Sequence, residues 1–217
     1  MTTVRPGARR EREVRKASRL MLVAHPDDET FWGGGALAAG SDWAVICFTH
    51  AGNRVRARAF RRAMKVLGTP SMILNLPDRK EHSVTPEDLT WIADQMSSFV
   101  NDGHVEQVMT HGPDGEYGHP LHRAVSSVLT SISEDQGRLW YFNFDEDFDL
   151  EIADPSVWRR KMRAVDCYLG SDASGWDPAD RCHVDLGRHE SPVRATDYER
   201  PWELVSRIYE DSGMVIT

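Results

Sequence analysis

The sequence predicts an α/β fold with a mostly parallel sheet and a C-terminal cap segment. Short apolar runs that suit buried strands alternate four times with longer segments of helical periodicity, which is typical of βαβ units. Beyond Gly170 the chain is irregular and rich in Asp, Gly and Pro. We therefore expect one domain at 19–217, preceded by a flexible basic extension at 1–18. Its last part, about 171–217, is expected to be an irregular cap over the edge of the sheet that carries the site.

The predicted elements follow the turn and capping residues of the chain. Gly40 and Gly68 are expected to end helices, and Gly40 suits the left-handed cap position. Thr85 and Pro86 are expected to open a helix as N-cap and first helical residue, with acids in its first turn. The predicted strands are 19–24, 43–49, 71–76, 107–110 and 139–144, and the predicted helices are 31–39, 55–67, 86–100, 119–133, 155–169 and 202–209.

Composition and charge exclude several classes of protein. A net charge of -8 disfavours generic nucleic-acid binding, which needs clustered Lys and Arg against phosphates. No apolar run approaches the roughly 18–20 residues of a membrane helix, and the basic N-terminus has no apolar signal segment. Three distant cysteines (Cys47, Cys167 and Cys182) suit a reducing compartment. We therefore expect a soluble, cytoplasmic protein without nucleic-acid partners; its oligomeric state is left open, with a homo-oligomer as one option.

Basic residues are concentrated in two places. One is the N-terminal extension, and the other is the predicted helix 55–67 with the residue before it, where no acid interrupts the run. A solvated surface explains such a run, and a basic rim that attracts an anionic substrate is the alternative. The second run contains Arg54, Arg56, Arg58, Arg61, Arg62 and Lys65.

Two clusters of polar residues follow the first and fourth predicted strands. His25 and Asp28 are three residues apart in the turn after the first strand, and His119 and His122 have the same spacing after the fourth. Parallel strands bring their carboxyl ends to one edge of a sheet, so the two clusters are expected to converge. A His and carboxylate set suits zinc, or ferrous iron as an alternative.

The remaining polar groups suit proton transfer. Asp27 is placed to accept the proton of a water whose pKa the metal lowers to near neutrality. The histidine that is not a ligand is expected to stabilise an oxyanion or to protonate a leaving amine. Glu29 is expected to be a helix-start acid, and His111 is weighed as structural or catalytic.

The two clusters resemble the motifs of a known family. The run 24–29 (Ala-His-Pro-Asp-Asp-Glu), followed by the glycines at 33–35, resembles the signature of the PIG-L/LmbE-type zinc de-N-acetylases. The runs 110–113 and 115–122 resemble the second motif of that family. The resemblance covers roughly residues 19–144. It implies a Rossmann-like three-layer α/β sandwich and the hydrolysis of an N-acyl amine, most often an N-acetylglucosamine unit.

The resemblance also implies roles for single residues. The zinc ligands would be His25, Asp28 and His122, the general base would be Asp27, and His119 would stabilise the oxyanion. On the substrate side, Arg56 and Asp78 match positions that contact the substrate. Two departures weaken a transfer of substrate identity: Ala59 replaces a common Glu, and the pair 52–53 is Gly-Asn where Gly-Glu is common.

The predicted function is therefore that of a zinc-dependent hydrolase of linear amides. We expect it to remove an N-acetyl group from a small amino-sugar (GlcNAc-type) substrate, which the basic helix suggests is anionic. One alternative is an amidase that cleaves a larger N-acyl or thiol conjugate. The other is a catalytically silent binding module stabilised by a metal.

Overall fold

A computed structural model describes residues 8–79, 83–142, 150–151, 154–168, 189–190 and 193–194. Strands and helices alternate through most of this part, as the sequence predicts. None of the described helices is both long and apolar enough to cross a membrane. The helices are α1 (Ala8–Val14), α2 (Asp28–Ala39), α3 (Arg54–Leu67), α4 (Pro86–Val100), α5 (Gly115–Gly118), α6 (Pro120–Ile132) and α7 (Pro155–Val165). The strands are β1 (Arg19–Val23), β2 (Trp43–Thr49), β3 (Ser71–Leu76), β4 (Gln107–Thr110), β5 (Leu139–Tyr141), β6 (Leu150–Glu151), β7 (His189–Glu190) and β8 (Val193–Arg194).

The larger sheet has the order β3-β2-β1-β4-β5-β8. Its first five strands are parallel, and β8 pairs antiparallel with β5. The chain proceeds from β1 to β2 on one side and returns to β4 on the other. Ligands of open α/β sheets bind at such a switch point, outside the carboxyl ends of the strands. The predicted fold class, a mostly parallel α/β sandwich, is confirmed, and both motif-bearing strands lie at its switch point.

Helices cover both faces of this sheet, which makes three layers. Leu20 and Leu22 of β1 pack with α4 and α6, whereas Met21 and Val23 pack with α2, α3 and the end of α7. All four side chains are buried, because a central parallel strand has protein on both sides. This burial explains why β1 is a continuous apolar run rather than an alternating one.

The glycine run of α2 allows this helix to pack closely. A Cβ on Gly33 would clash with the Cε of Met21, and one on Gly34 would lie 2.9 Å from the Cγ of Lys161. The Lys161 side chain is fully buried and its Nζ donates to the Phe31 carbonyl. The glycine run therefore allows α2 to pack closely on both β1 and α7.

Several boundaries differ from the sequence predictions. Helix α2 begins at Asp28, three residues earlier than expected, because the acids of the turn are part of the helix and are buried. Gly40 is extended (φ -96°), so the left-handed cap expected there was wrong; Asp42, two residues later, takes the positive φ of 66°. Gly68 does end α3 in the left-handed conformation, with φ 73°.

The two ends of the chain are described only in part. Residues 8–14, within the expected N-terminal extension, form α1, and the Val14 side chain is fully buried in the core. Strand β5 ends at Tyr141, so Phe142 of the predicted strand is not part of it, and 143–149, which include the last two residues of that prediction, lie outside the described residues. The predicted helix at 202–209 and nearly all of the expected cap at 171–217 also lie outside them.

Candidate active site

The turns after β1 and β4 bring three polar side chains together. His25 and Asp28 follow β1, and His122 lies in the first turn of α6, after β4. All three side chains are buried. His25 Nδ1 lies 3.1 Å from His122 Nε2, and the Oδ2 of Asp28 lies 3.4 Å from each of these nitrogens. The three residues predicted as metal ligands therefore form a compact triangle of donor atoms.

This triangle has the dimensions of ligands around one small cation. Atoms bound tetrahedrally at about 2.0–2.1 Å from zinc lie about 3.3 Å from one another. His122 donates from Nδ1 to Glu116, so in its neutral form Nε2 directs a lone pair toward the Asp28 carboxylate. A lone pair and a carboxylate oxygen repel each other unless a cation or a proton lies between them. The residues present therefore fit a metal ion, and two overlapping sets, His25/His119/His122 and Asp28/His111/His122, have the required proximity.

Glu116 orients the buried imidazoles, a role that the sequence did not reveal. Its Oε2 accepts hydrogen bonds from His122 Nδ1 (2.6 Å) and His111 Nδ1 (2.9 Å), and its Oε1 accepts from the Gly112 amide. Burial raises the pKa of Glu116, but the two imidazoles outweigh this effect and lower it to about 2. Carboxylates that hold a ligating histidine in this way are common around metals. The only signal in the sequence was the position of Glu116 inside the second motif.

His111 packs behind His122 rather than pointing freely into the site. The two rings stack with centroids 3.9 Å apart. His111 Nε2 accepts a hydrogen bond from the Ala24 amide at 2.9 Å, and His111 Nδ1 donates to Glu116. Both ring nitrogens are therefore used within the protein, as the structural alternative for this residue requires.

His119 occupies the N-cap of α6, and its ring lies next to the rings of two of the predicted metal ligands, His25 and His122. Its centroid lies 4.7 Å from that of His25 and 4.5 Å from that of His122. The Leu121 amide donates to His119 Nδ1 at 3.2 Å, so the proton of the neutral ring is on Nε2. A donor at this position suits an oxygen on which negative charge develops.

Asp27 has an unusual backbone and a buried carboxyl group. Its φ of 136° is rare for a residue with a side chain, and strain of this kind costs about 1–3 kcal/mol. Burial and the neighbouring charge of Asp28 raise the pKa of Asp27, against the opposing charges of Arg56 and His25. A carboxylate with a raised pKa is a better proton acceptor near neutral pH, as a general base requires.

Of the two predicted substrate residues, Arg56 lies beside this carboxylate, and His50 connects Arg56 to Asp78. Arg56 Nη2 lies 3.4 Å from Asp27 Oδ2, and its Nη1 lies 2.8 Å from His50 Nε2. The same nitrogen of His50 lies 2.9 Å from Asp78 Oδ2. It cannot accept from Arg56 and donate to Asp78 at once, so one contact is open to exchange with a ligand. Hydrogen bonds from His25 and His50 hold the pKa of Asp78 well below its usual range.

The protonation of His25 depends on the acids around it. Burial lowers its pKa, but hydrogen bonds with Asp28 and Asp78 outweigh burial and raise it to about 9 in the metal-free protein. Burial lowers the pKa of His122 instead. A ligating imidazole must be neutral, so the predicted role of His25 as a ligand requires that it release this proton when a metal binds.

Glu29 is more than the helix-start acid that the sequence predicted. It lies in the first turn of α2, but it is fully buried and accepts hydrogen bonds from the hydroxyls of Thr30 and Tyr168, both at 2.6 Å. It also accepts from the Asp27 amide at 3.1 Å. Burial, partly offset by these hydrogen bonds, raises the pKa of Glu29 to about 7.

A row of cations runs along the solvent side of α3. These side chains are exposed and line a cleft of about 840 Å³ between α3 and the end of α7. None of them forms an ion pair with another residue of the described part of the chain. Arg56 belongs to the same helix, but its side chain points toward Asp27 instead. The row consists of Arg54, Arg58, Arg61, Arg62 and Lys65.

The chain matches the model of one protein family over residues 20–133, which include both motifs. The description of that family is PIG-L, GlcNAc-PI de-N-acetylase. The match ends at the last turn of α6, so β5 and α7 lie beyond it.

Several proteins are similar to this chain over part of their length. Protein L374 of Acanthamoeba polyphaga mimivirus, which is described as uncharacterized, is 27% identical over 144 residues, covering 59% of this chain and 63% of the viral protein. The 1D-myo-inositol 2-acetamido-2-deoxy-alpha-D-glucopyranoside deacetylase of Mycobacterium sp. (strain KMS) is 29% identical over 154 residues, covering 54% of this chain and 50% of the deacetylase. The chain thus spans about half to two thirds of these relatives.

A solved structure supports the fold. The conserved protein TT1542 from Thermus thermophilus superposes with a TM-score of 0.57 at 17% identity, covering 86% of this chain and 98% of that one. At this identity the likeness concerns the fold and not the reaction.

Proposed function

Because this chain belongs to the PIG-L family, we propose that it is a zinc-dependent hydrolase that removes the N-acetyl group of an amino-sugar substrate of the GlcNAc type. The observation that carries the proposal is the triangle of His25, Asp28 and His122 donor atoms, with Asp27 and His119 beside it. We further propose that the active unit is a single domain from residue 19 onward, with 171–217 as its cap.

His25, Asp28 and His122 are the proposed metal ligands. Two imidazoles and one carboxylate suit zinc, and ferrous iron is the alternative that the same donors accept. The chemistry of such an ion is that of a Lewis acid, which makes water more acidic and an amide carbonyl more electrophilic. Glu116 keeps the Nδ1 proton of His122 engaged, so that the Nε2 lone pair faces the proposed site.

Asp27 and His119 are the proposed proton-handling groups. The carboxylate of Asp27 takes a proton from the attacking water, and its raised pKa favours this transfer near neutral pH. Arg56 lies 3.4 Å from Asp27 Oδ2 and limits how far that pKa rises. The Nε2 proton of His119 is proposed to hydrogen-bond the amide oxygen on which negative charge develops. The leaving amine then receives a proton from Asp27 or His119.

The proposed substrate is small, N-acetylated and anionic. Arg56 and Asp78 are its proposed contacts, and the shared nitrogen of His50 allows their hydrogen bonds to rearrange around a sugar. The cations of α3, which form no ion pair within the described part of the chain, support an acidic group elsewhere in the substrate, because Arg54 and Arg58 are each two residues from Arg56. We also propose a reducing, cytoplasmic location, which the buried free thiols of Cys47 and Cys167 support.

The test is a screen of N-acetylated amino sugars, with and without an acidic aglycone, against zinc-loaded protein, with free amine and acetate as readouts. Asp27→Asn is the matched variant, because it keeps the shape of the side chain and all three proposed ligands. We expect it to retain zinc and to lose about 10²- to 10⁴-fold in kcat. Asp28→Asn is expected to lose zinc as well as activity.

Three outcomes would contradict the proposal. Zinc content and activity that both survive in Asp28→Asn would refute the ligand assignment. Release of a larger acyl group, without acetate, would favour the amidase alternative. Zinc binding without amine release from any substrate would favour a silent binding module.

A further inference from the structure

We propose that Glu29 and Tyr168 are positioning residues that fix the backbone of Asp27 and so aim its carboxylate. The inference rests on the proposed function, because it takes Asp27 to be the proton acceptor. It connects Glu29, in the motif after β1, to a side chain 139 residues away, in the turn that follows α7. Tyr168 lies outside residues 20–133, so the family match does not include it.

The Asp27 backbone needs support from both sides. Its φ of 136° and ψ of -34° lie in a region that residues with side chains rarely adopt. Asp27 precedes α2 as its N-cap, yet its side chain forms no capping hydrogen bond. Its carbonyl accepts from the amides of Thr30 and Phe31, both at 2.9 Å. The carboxylate is thereby left to face Arg56 and the metal ligands, while other groups must hold the peptide.

Glu29 holds the Asp27 peptide by a hydrogen bond to its amide. Its Oε2 accepts from the Asp27 amide at 3.1 Å, and its Oε1 accepts from the Thr30 and Tyr168 hydroxyls at 2.6 Å. Every one of these partners is a donor, so the site is built for a group with two acceptor oxygens. An ordinary helix-start acid is exposed to solvent, whereas Glu29 has no exposed surface.

Tyr168 fixes the direction in which Glu29 points. Thr30 is adjacent in sequence and would follow any movement of the α2 start, so its hydroxyl is a poor anchor. Tyr168 lies in the turn that follows α7, where its amide donates to the Val165 carbonyl, and α7 packs on α2 and α3. Its ring is buried among residues of the same core cluster as Val23. A buried side chain from a distant part of the chain therefore holds the carboxylate that holds Asp27.

A purely structural role is the alternative, and Tyr141 provides the matched control. Its hydroxyl is also buried and forms a 2.5 Å hydrogen bond with Thr130, but on the other face of the sheet. Tyr168→Phe and Tyr141→Phe remove the same group at equal burial. Both are expected to lower Tm, because each removes a hydrogen bond of a buried tyrosine.

The decisive experiment measures kcat, KM and zinc content for these two variants, for Glu29→Gln and for the double variant Tyr168→Phe/Glu29→Gln. We expect Tyr168→Phe to lose about tenfold in kcat with KM and zinc content nearly unchanged, and Tyr141→Phe to keep its kcat. Glu29→Gln should lose at least as much, because its NH₂ replaces either the oxygen that accepts from the Asp27 amide or the oxygen that accepts from the Tyr168 hydroxyl. The double variant should be no worse than Glu29→Gln, since Tyr168 acts through Glu29. Equal kcat in Tyr168→Phe and Tyr141→Phe would overturn the proposal.

A second readout does not depend on activity. In ¹⁵N-labelled protein, the Asp27 amide is expected to lose about tenfold of its protection from hydrogen exchange in Tyr168→Phe but not in Tyr141→Phe. Unchanged protection in both variants would refute the positioning network. A wild-type protein without deacetylase activity but with this exchange pattern would refute the proposed function alone.

Discussion

Replacement of Glu116 tests how much the buried carboxylate contributes to metal affinity. Its Oε2 accepts from two imidazole nitrogens, and its Oε1 accepts from the Gly112 amide. In Glu116→Gln the amide oxygen can face either side. If the oxygen faces the imidazoles, the NH₂ group of the glutamine opposes one donor, the Gly112 amide. In the other orientation the NH₂ group opposes two donors, the Nδ1–H groups of His111 and His122. The first orientation is therefore favoured, and His122 keeps a neutral acceptor.

The expected losses of zinc affinity depend on whether His122 keeps a hydrogen-bond acceptor. Outer-shell partners of a ligating histidine contribute about 10- to 100-fold to metal affinity. Glu116→Gln keeps an acceptor on His122, so we expect the lower end, about tenfold or 1.4 kcal/mol. Glu116→Ala removes the acceptor, so we expect about 100-fold or 2.8 kcal/mol.

The assay is zinc competition with a chromophoric chelator at fixed pH, on protein first freed of metal. Asp88→Asn is the matched control, because Asp88 is also a buried carboxylate with several donors, but it caps α4 beside Arg79. We expect this control to lower Tm and to leave zinc affinity unchanged. Zinc affinity within twofold of wild type in both Glu116 variants would refute the reasoning.

Three further predictions concern stability and substrate binding. Hydrogen bonds from Arg79 and Thr85 lower the pKa of Asp88 against its burial, so its contribution is present above about pH 4 and is lost as the pH falls through the lower folded-state pKa. The difference in urea midpoint between wild type and Asp88→Asn should therefore be large at pH 7 and small at pH 3; an equal difference at both would contradict it. Gly112→Ala should destabilise the fold by about 1–3 kcal/mol, because the new Cβ would lie 2.7 Å from a backbone carbonyl, whereas Gly103→Ala meets nothing within 4 Å and should be tolerated. Arg58→Gln should raise KM for an acidic substrate about threefold at low salt and by less at high salt. Lys16, which is also exposed, provides the control, and Lys16→Gln should leave KM unchanged. A KM that does not depend on salt would show that the basic row does not attract the substrate.

Local residue patterns were sufficient to predict the two pairs of polar residues in the site and the edge of the sheet at which they meet. The spacing of His25 and Asp28, and of His119 and His122, placed each pair in one turn. Parallel pairing then brought the turns together, because β1 and β4 are neighbours in register. These signals reside within a few residues of the chain, so one sequence contains them.

Contacts between distant residues left no such signal. Nothing near Glu29 indicates that its carboxylate is buried or that Tyr168 donates to it. Glu116 adopts a positive φ of 56°, which no residue pattern around it announces. The left-handed residue after α2 is Asp42 rather than Gly40, because the course of the loop decided which residue takes that conformation. Asp allows positive φ less easily than Gly, so local preference favoured the wrong position.

The packing of α7 on α2 and α3 limits how far this chain can be shortened. A fragment that ends at residue 133 contains all the proposed ligands and the whole matched region, yet it lacks β5 and α7. It would expose the glycine face of α2 where Lys161 now lies, and would leave β4 as an open edge. The smallest useful expression fragment must therefore extend beyond Tyr168, and a partial gene product that stops earlier is expected to aggregate even though its motif is intact.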